Sequence, residues 1–252
     1  MAGQKSSLRL IAAGGGPPQG FYRAGIEIRL DPGALTYWRM PGGAGVPPVF
    51  SFEGSVNAAG IAVSYPAPMR FDEEGTEAFG YRGSVTFPLH VTPKDAARPV
   101  LLAVTLSYAV CARICLPAKA EARLTLDPAL EADATGEGAT AIAAAEAEVP
   151  LRLTPQQRDA KVAIDRDKTA AAPAWRLSSN GDVQDVFAEA PPGWYFETRK
   201  SSRPGEFLIV AVEKPHGDGQ SNSGAPLPVT LTLKSERQSY EFPVDLDAAA
   251  TQ

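Results

Sequence analysis

The chain has 252 residues, 44% of them hydrophobic and 21% charged, and a formal net charge of −5. That length predicts two domains, each able to bury a core of its own. The acidic balance and the lack of any basic run argue against nucleic acid as a partner, and no run approaches the ~18 apolar residues of a membrane-crossing helix.

With 23 glycines and 23 prolines, the composition favours many short strands joined by turns over a helical bundle. Met1–Ala13 starts like a secretory signal, but its apolar run is short and broken by Arg9, so Leu8–Ala12 reads as a first strand. If the protein is exported, its signal peptide is expected to be absent from this sequence. Tyr22–Leu30 alternates apolar and polar residues as a half-buried strand does, and Asp31-Pro32-Gly33 ends it in a turn. Leu35–Arg39 continues the pattern, and Pro41–Pro48 is a loop by composition. Further strands are expected at Val49–Phe52, Gly60–Tyr65, Val85–Val91, Pro99–Tyr108 and Ala120–Leu126. Short strands at this spacing indicate a β-sandwich over residues 1–130. Ala139–Glu148 has strong helix propensity and little apolar bulk, so residues 131–150 read as a short Ala-rich helical linker stopped by Pro150. Residues 151–252 form a second β-sandwich, with strands at Lys161–Ile164, Trp175–Leu177, Gly193–Thr198, Glu206–Glu213, Pro228–Leu233 and Tyr240–Leu246. The segment His216–Ala225 reads as a flexible loop.

Only two cysteines occur, Cys111 and Cys115, between two strands and ahead of Pro117. In a strand-turn-strand unit closed by that proline, their Cβ atoms can approach within the roughly 4 Å a disulfide needs. As a staple, so small a loop stabilises by only about 2 kcal/mol, and a chain of this length needs no covalent help. Those arguments favour thiol–disulfide exchange while leaving a passive bridge open. Arg113 and Lys119 supply positive charge close to the sulfurs in sequence, which favours the thiolate. The two histidines, His90 and His216, are far apart, so neither a zinc site nor a Ser-His-Asp triad has support. Gly14-Gly15-Gly16-Pro17-Pro18 lacks the lysine of a phosphate-binding loop. No metal and no cofactor is expected.

The segment Tyr108–Pro117, preceded by Phe87–Val91 and Asp31–Arg39, resembles the amino-terminal periplasmic domain of the DsbD family, and within it the ScsB-like branch. The resemblance covers roughly residues 8–127, and extends to the second domain only as a β-sandwich of the same branch. It implies an all-β chain of two immunoglobulin-like sandwiches, with the cysteines in a hairpin of the first. It also implies a periplasmic thiol:disulfide oxidoreductase that passes electrons from a membrane transducer to thioredoxin-like periplasmic proteins. The enterobacterial DsbD has a wider cysteine spacing, which puts partner geometry in doubt. By the family pattern both cysteines are active, Cys115 forming the mixed disulfide and Cys111 resolving it. Family members shield the pair with a cap loop, which here corresponds to Phe71–Tyr81; Phe71 or Phe79 would be the shield, with Tyr81 beside them. Its acids Glu73 and Glu74 would raise the cysteine pKa or move protons, although a solvated acidic loop fits the same residues. Tyr108 is expected to pack beside the pair. Two alternatives stand: Cu(I) capture in copper tolerance, since two thiolates suit a soft ion, and a non-catalytic immunoglobulin-like adaptor with a structural disulfide.

Overall fold

In the computed structural model the described residues are 6–14, 20–73, 75–129, 136–170, 172–213 and 226–247. The chain divides into two compact units, Met1–Val149 and Pro150–Gln252.

The first unit is a β-sandwich. One sheet joins β1 (Ser6–Ala12), β2 (Tyr22–Leu30), β8 (Ser84–Pro93) and β5 (Ala58–Val63) in that order. The facing sheet joins β10 (Cys115–Leu126), β9 (Val100–Cys111), β3 (Leu35–Gly42), β7 (Thr76–Arg82) and β6 (Met69–Glu73), with β4 (Val49–Ser51) also on β9. Every pairing is antiparallel. Alternation places one set of side chains inward on each strand: Ile26 and Ile28, Phe87 and Leu89, Leu102 and Leu106, and Trp38 are all buried. Phe50 and Tyr81 meet the Phe87 ring edge-on at 5.3 and 5.6 Å. The expected strands are present. The notable departure is Phe71–Tyr81, which is no loop but the hairpin β6–β7, registered Phe71↔Ala78.

The Ala-rich segment is helical, α1 (Glu137–Ala147), but it does not stand free as a spacer. It packs on the outer face of the first sheet through Ala139, Ile142 and Ala145, with Ile142 fully buried. The small residues that suggested a linker are what permit this closeness: a Cβ on Gly25 of β2 would lie 3.3 Å from Ile142. Ion pairs secure both ends. Arg9 bridges Glu27 and Glu137, and Arg23 holds Glu146 at 2.5 Å.

The second unit is also a sandwich. One sheet orders β11 (Leu151–Arg152), β18 (Tyr240–Asp247), β17 (Pro226–Ser235) and β14 (Val183–Glu189). The other orders β12 (Val162–Arg166), β13 (Ala174–Ser179), β16 (Glu206–Glu213) and β15 (Tyr195–Lys200). Trp175, Leu177, Phe196, Ile209, Leu231 and Phe242 fill its core. A short helix, α2 (Pro155–Asp159), starts at a capping box formed by Thr154 and Gln157. The sequence reading anticipated neither α2 nor β14, and the segment His216–Ala225 lies outside the described residues. The architecture is thus all-β and immunoglobulin-like in both units.

Candidate functional site

Strands β9 and β10 pair along their full length, from Val100↔Leu126 to Cys111↔Cys115, leaving only residues 112–114 for the turn. Direct cross-strand partners on one face have adjacent Cβ atoms, and here the two sulfurs are bonded. Pro117 was expected to close the turn. It sits inside β10 instead, where an edge strand tolerates a residue without an N–H. The two cysteines differ in exposure: Cys111 is 2% exposed, whereas Cys115 is open to solvent.

Cys111 also pairs with Leu35 of β3, which brings the next outward residue of that strand, Tyr37, onto the disulfide. The Tyr37 hydroxyl oxygen lies 2.8 Å from Cys111 Sγ and 3.3 Å from Cys115 Sγ. It donates to Glu73 Oε2 at 2.8 Å. Leu35, Tyr37, Phe71, Ala78, Ala109 and Cys111 form one buried cluster, against which Ala44 packs. Burial, followed by the hydrogen bond to the Glu73 carboxylate, pushes the Tyr37 phenol well above the ordinary tyrosine range. It therefore remains a neutral O–H donor at any working pH.

The other sequence candidates sort by strand face. Phe71 and Glu73, two apart on β6, both reach the cysteine side, and the Arg82 guanidinium lies 4.7 Å above the Phe71 ring. Phe79 and Tyr81 point to the other side of their sheet. Phe79 stacks under Arg70, and Tyr81 donates from its hydroxyl to Pro66 O at 2.8 Å and meets Phe87. Tyr108 is three residues before Cys111, an odd offset that turns it away from the pair, and its hydroxyl meets Ser6 Oγ at 2.8 Å. Glu74 lies outside the described residues. The cations read as neighbours of the sulfurs are not in contact with them: Arg113 is exposed in the turn, and Lys119 pairs with Glu121 at 3.4 Å. The charged group that reaches the sulfurs is the Glu73 carboxylate, with the Arg82 cation farther off over the Phe71 ring. Sequence reasoning missed Tyr37, which stands 74 positions before Cys111; alternation within Leu35–Arg39 gives its face, but only the β3–β9 register aims that face at the pair.

Glu73, Cys111 and Cys115 offer ligand atoms that all lie within 4.8 Å of one another. In the disulfide neither sulfur is a thiolate. Reduction would present two soft thiolates beside one hard carboxylate, a set that can take a soft ion through sulfur.

Residues 16–127 match the family model described as thiol:disulfide interchange protein DsbD, N-terminal. The resemblance seen in the hairpin holds. This DsbD-like stretch contains every residue of the site just described. Among solved structures, the N-terminal periplasmic domain of ScsB from Proteus mirabilis is similar, with 19% identity and a TM-score of 0.73. The alignment covers 97% of this chain and 94% of that one, so the shared fold extends over both units. The YadV chaperone aligns over 96% of this chain and 100% of its own, at 8% identity and a TM-score of 0.28, too low to bear on the fold. No curated protein matches the chain by sequence. Among the described residues, no helix is long and apolar enough to cross a membrane.

Proposed function

We propose that this chain is a periplasmic thiol:disulfide interchange domain. It relays reducing equivalents from a membrane electron transducer to thioredoxin-like proteins through Cys111 and Cys115. The supporting observation is the asymmetry of the pair: one sulfur is exposed and the other buried against a neutral phenol.

Exchange requires in-line attack by a thiolate on a reachable sulfur. Here that sulfur is Cys115. When a donor thiolate attacks it, a bond forms between the donor sulfur and Cys115, the Cys111–Cys115 bond breaks, and the electron pair leaves on Cys111. The single Tyr37 hydroxyl proton, given to Glu73 while the disulfide is intact, can turn across 2.8 Å to that thiolate, a charge-assisted bond stronger than a neutral one. A second donor thiolate then attacks the donor sulfur of the mixed disulfide, Cys115 leaves, and both cysteines are reduced. Toward an oxidised partner the sequence reverses: the Cys115 thiolate opens the partner's disulfide, and the Cys111 thiolate resolves the mixed bond. The first unit carries all of this chemistry.

A redox titration tests the proposal. An exchange pair should have a potential well above about −300 mV, and an inert staple should lie below it. Repeating the titration with Cu(I) separates the copper-capture reading, which requires tight binding to the reduced pair. A Cys111→Ser variant should accumulate a mixed disulfide on Cys115 with a thioredoxin-like partner, and no such adduct would form if the bridge were structural.

A further inference from the structure

We propose that Gly45 is a positioning residue for this exchange: its bare backbone seats the Tyr37 ring and so holds the hydroxyl against both sulfurs. The inference rests on the exchange function proposed above and gives a role to the Gly-Pro-rich loop between β3 and β4.

A Cβ built on Gly45 would overlap Cδ1 and Cε1 of Tyr37 and stand 2.6 Å from Cζ. The ring thus lies flat against main chain at a place where any side chain would displace it. Room to yield is small, because Tyr37 is 1% exposed and shares a buried cluster with Leu35, Phe71, Ala78, Ala109 and Cys111, with Glu73 and Cys115 at its hydroxyl. The added Cβ would overlap Cε1 most deeply, so restoring ordinary carbon–carbon contact near 3.5–4.0 Å needs a ring shift of roughly 1.5 Å. The hydroxyl contacts of 2.8 and 3.3 Å to sulfur and 2.8 Å to Glu73 would not survive that shift. Gly45 also has φ +97°, so alanine there adds backbone strain, which must be measured separately. Gly33 provides that control: its φ is +81°, and a Cβ on it meets nothing within 4 Å.

The test compares Gly45→Ala with Gly33→Ala in the full chain, by two measurements. The first is the rate at which dithiothreitol reduces the disulfide. Gly45→Ala should lower it roughly tenfold, since Cys111 then leaves without the Tyr37 hydroxyl and misplacing a group by about 1 Å at a reacting centre can cost up to about a hundredfold; Gly33→Ala should leave it unchanged. The second is the pH titration of the Tyr37 Cζ signal in protein labelled with ¹³C at that carbon. In the wild type it should stay untitrated where an ordinary tyrosine, near pH ~10, loses its proton. In Gly45→Ala the transition should move down toward that value. In a Tyr37→Ala background, Gly45→Ala should no longer affect the reduction rate.

Equal behaviour of the two glycine variants, faster reduction in Gly45→Ala, or a Gly45→Ala effect on the rate that persists without the tyrosine ring, overturns the proposal. If Gly45→Ala alone does not fold, folding regained in the Tyr37→Ala background supports the clash with the ring, and failure in both backgrounds refutes it. If dithiothreitol does not reduce even the wild type, the exchange function fails, and the tyrosine signal still decides whether Gly45 seats Tyr37.

Discussion

Glu73→Gln tests whether the carboxylate beside the disulfide restrains the reactivity of the reduced pair, and by how much. Its oxygen lies within 4.8 Å of both sulfurs, so each thiolate forms against a like charge. At that separation two unit charges interact by about 0.9 kcal/mol in water and about 3.5 kcal/mol at an effective dielectric near 20. Glu73 is half-buried, which places the penalty near ~2 kcal/mol, or about thirtyfold in thiolate population below the cysteine midpoint. Glutamine keeps the shape and can still accept from Tyr37. The expected outcome is a roughly thirtyfold faster alkylation of Cys115 by iodoacetamide in the reduced protein at mildly acid pH, read by peptide mass. Glu77→Gln is the control, since Glu77 pairs with Arg70 at 2.6 Å and is outside the cysteine group. A Glu73→Gln rate equal to that of the control, or below the wild type, would refute the electrostatic reasoning.

Three further outcomes follow from the packing and the ion pairs. Ile142→Ala should cost the first unit about 2–5 kcal/mol in urea unfolding, because it empties a fully buried site; for the same reason residues 1–149 should melt well above residues 1–130. Burial alone would raise the Glu27 carboxyl, but hydrogen bonds from Arg9 and Arg29 outweigh it and hold the group below its usual value. The unfolded chain therefore binds the proton more tightly, so this stabilisation is present above about pH 4.3 and is lost as pH falls further; Glu27→Gln should flatten that acid limb. In the second unit, hydrogen bonds from Thr169 and then Arg176 pull Asp167 down to about 2. By the same sign, Asp167→Asn should remove the loss of stability of that unit between about pH 4 and pH 2, seen by fluorescence of Trp175 and Trp194.

Where the chain alternates cleanly, its strands were legible: Tyr22–Leu30, Leu35–Arg39 and Val85–Val91 lie within β2, β3 and β8. Phe71–Tyr81 misled because its acids and glycines have turn character, while the pairing that makes it a hairpin is decided by β7 docking on β3. The same period of two explains Tyr108, whose odd offset from Cys111 already separates their faces. Choosing between Phe71 and Phe79 was beyond the sequence, since only the Phe71↔Ala78 register puts the first on the cysteine side and the second on the other. Tyr37 needed a contact between strands more than 70 positions apart, and no local pattern encodes that. The helix was legible as a helix, but its packing depends on the glycine opposite Ile142.

The β9–β10 ladder holds the cysteines in register without help from the bond between them. Twelve residues of each strand are paired, and the cysteines are merely the last rung. Opening the disulfide removes a crosslink across a three-residue turn that the backbone already closes, so the oxidised and reduced forms should share one main-chain conformation. A pair exchanging as proposed above would spend no refolding on each turnover. It would present the same shape to the molecule that loads it and to the one that unloads it, and the relative potentials of those two molecules, rather than any change of shape, would then decide the direction of flow.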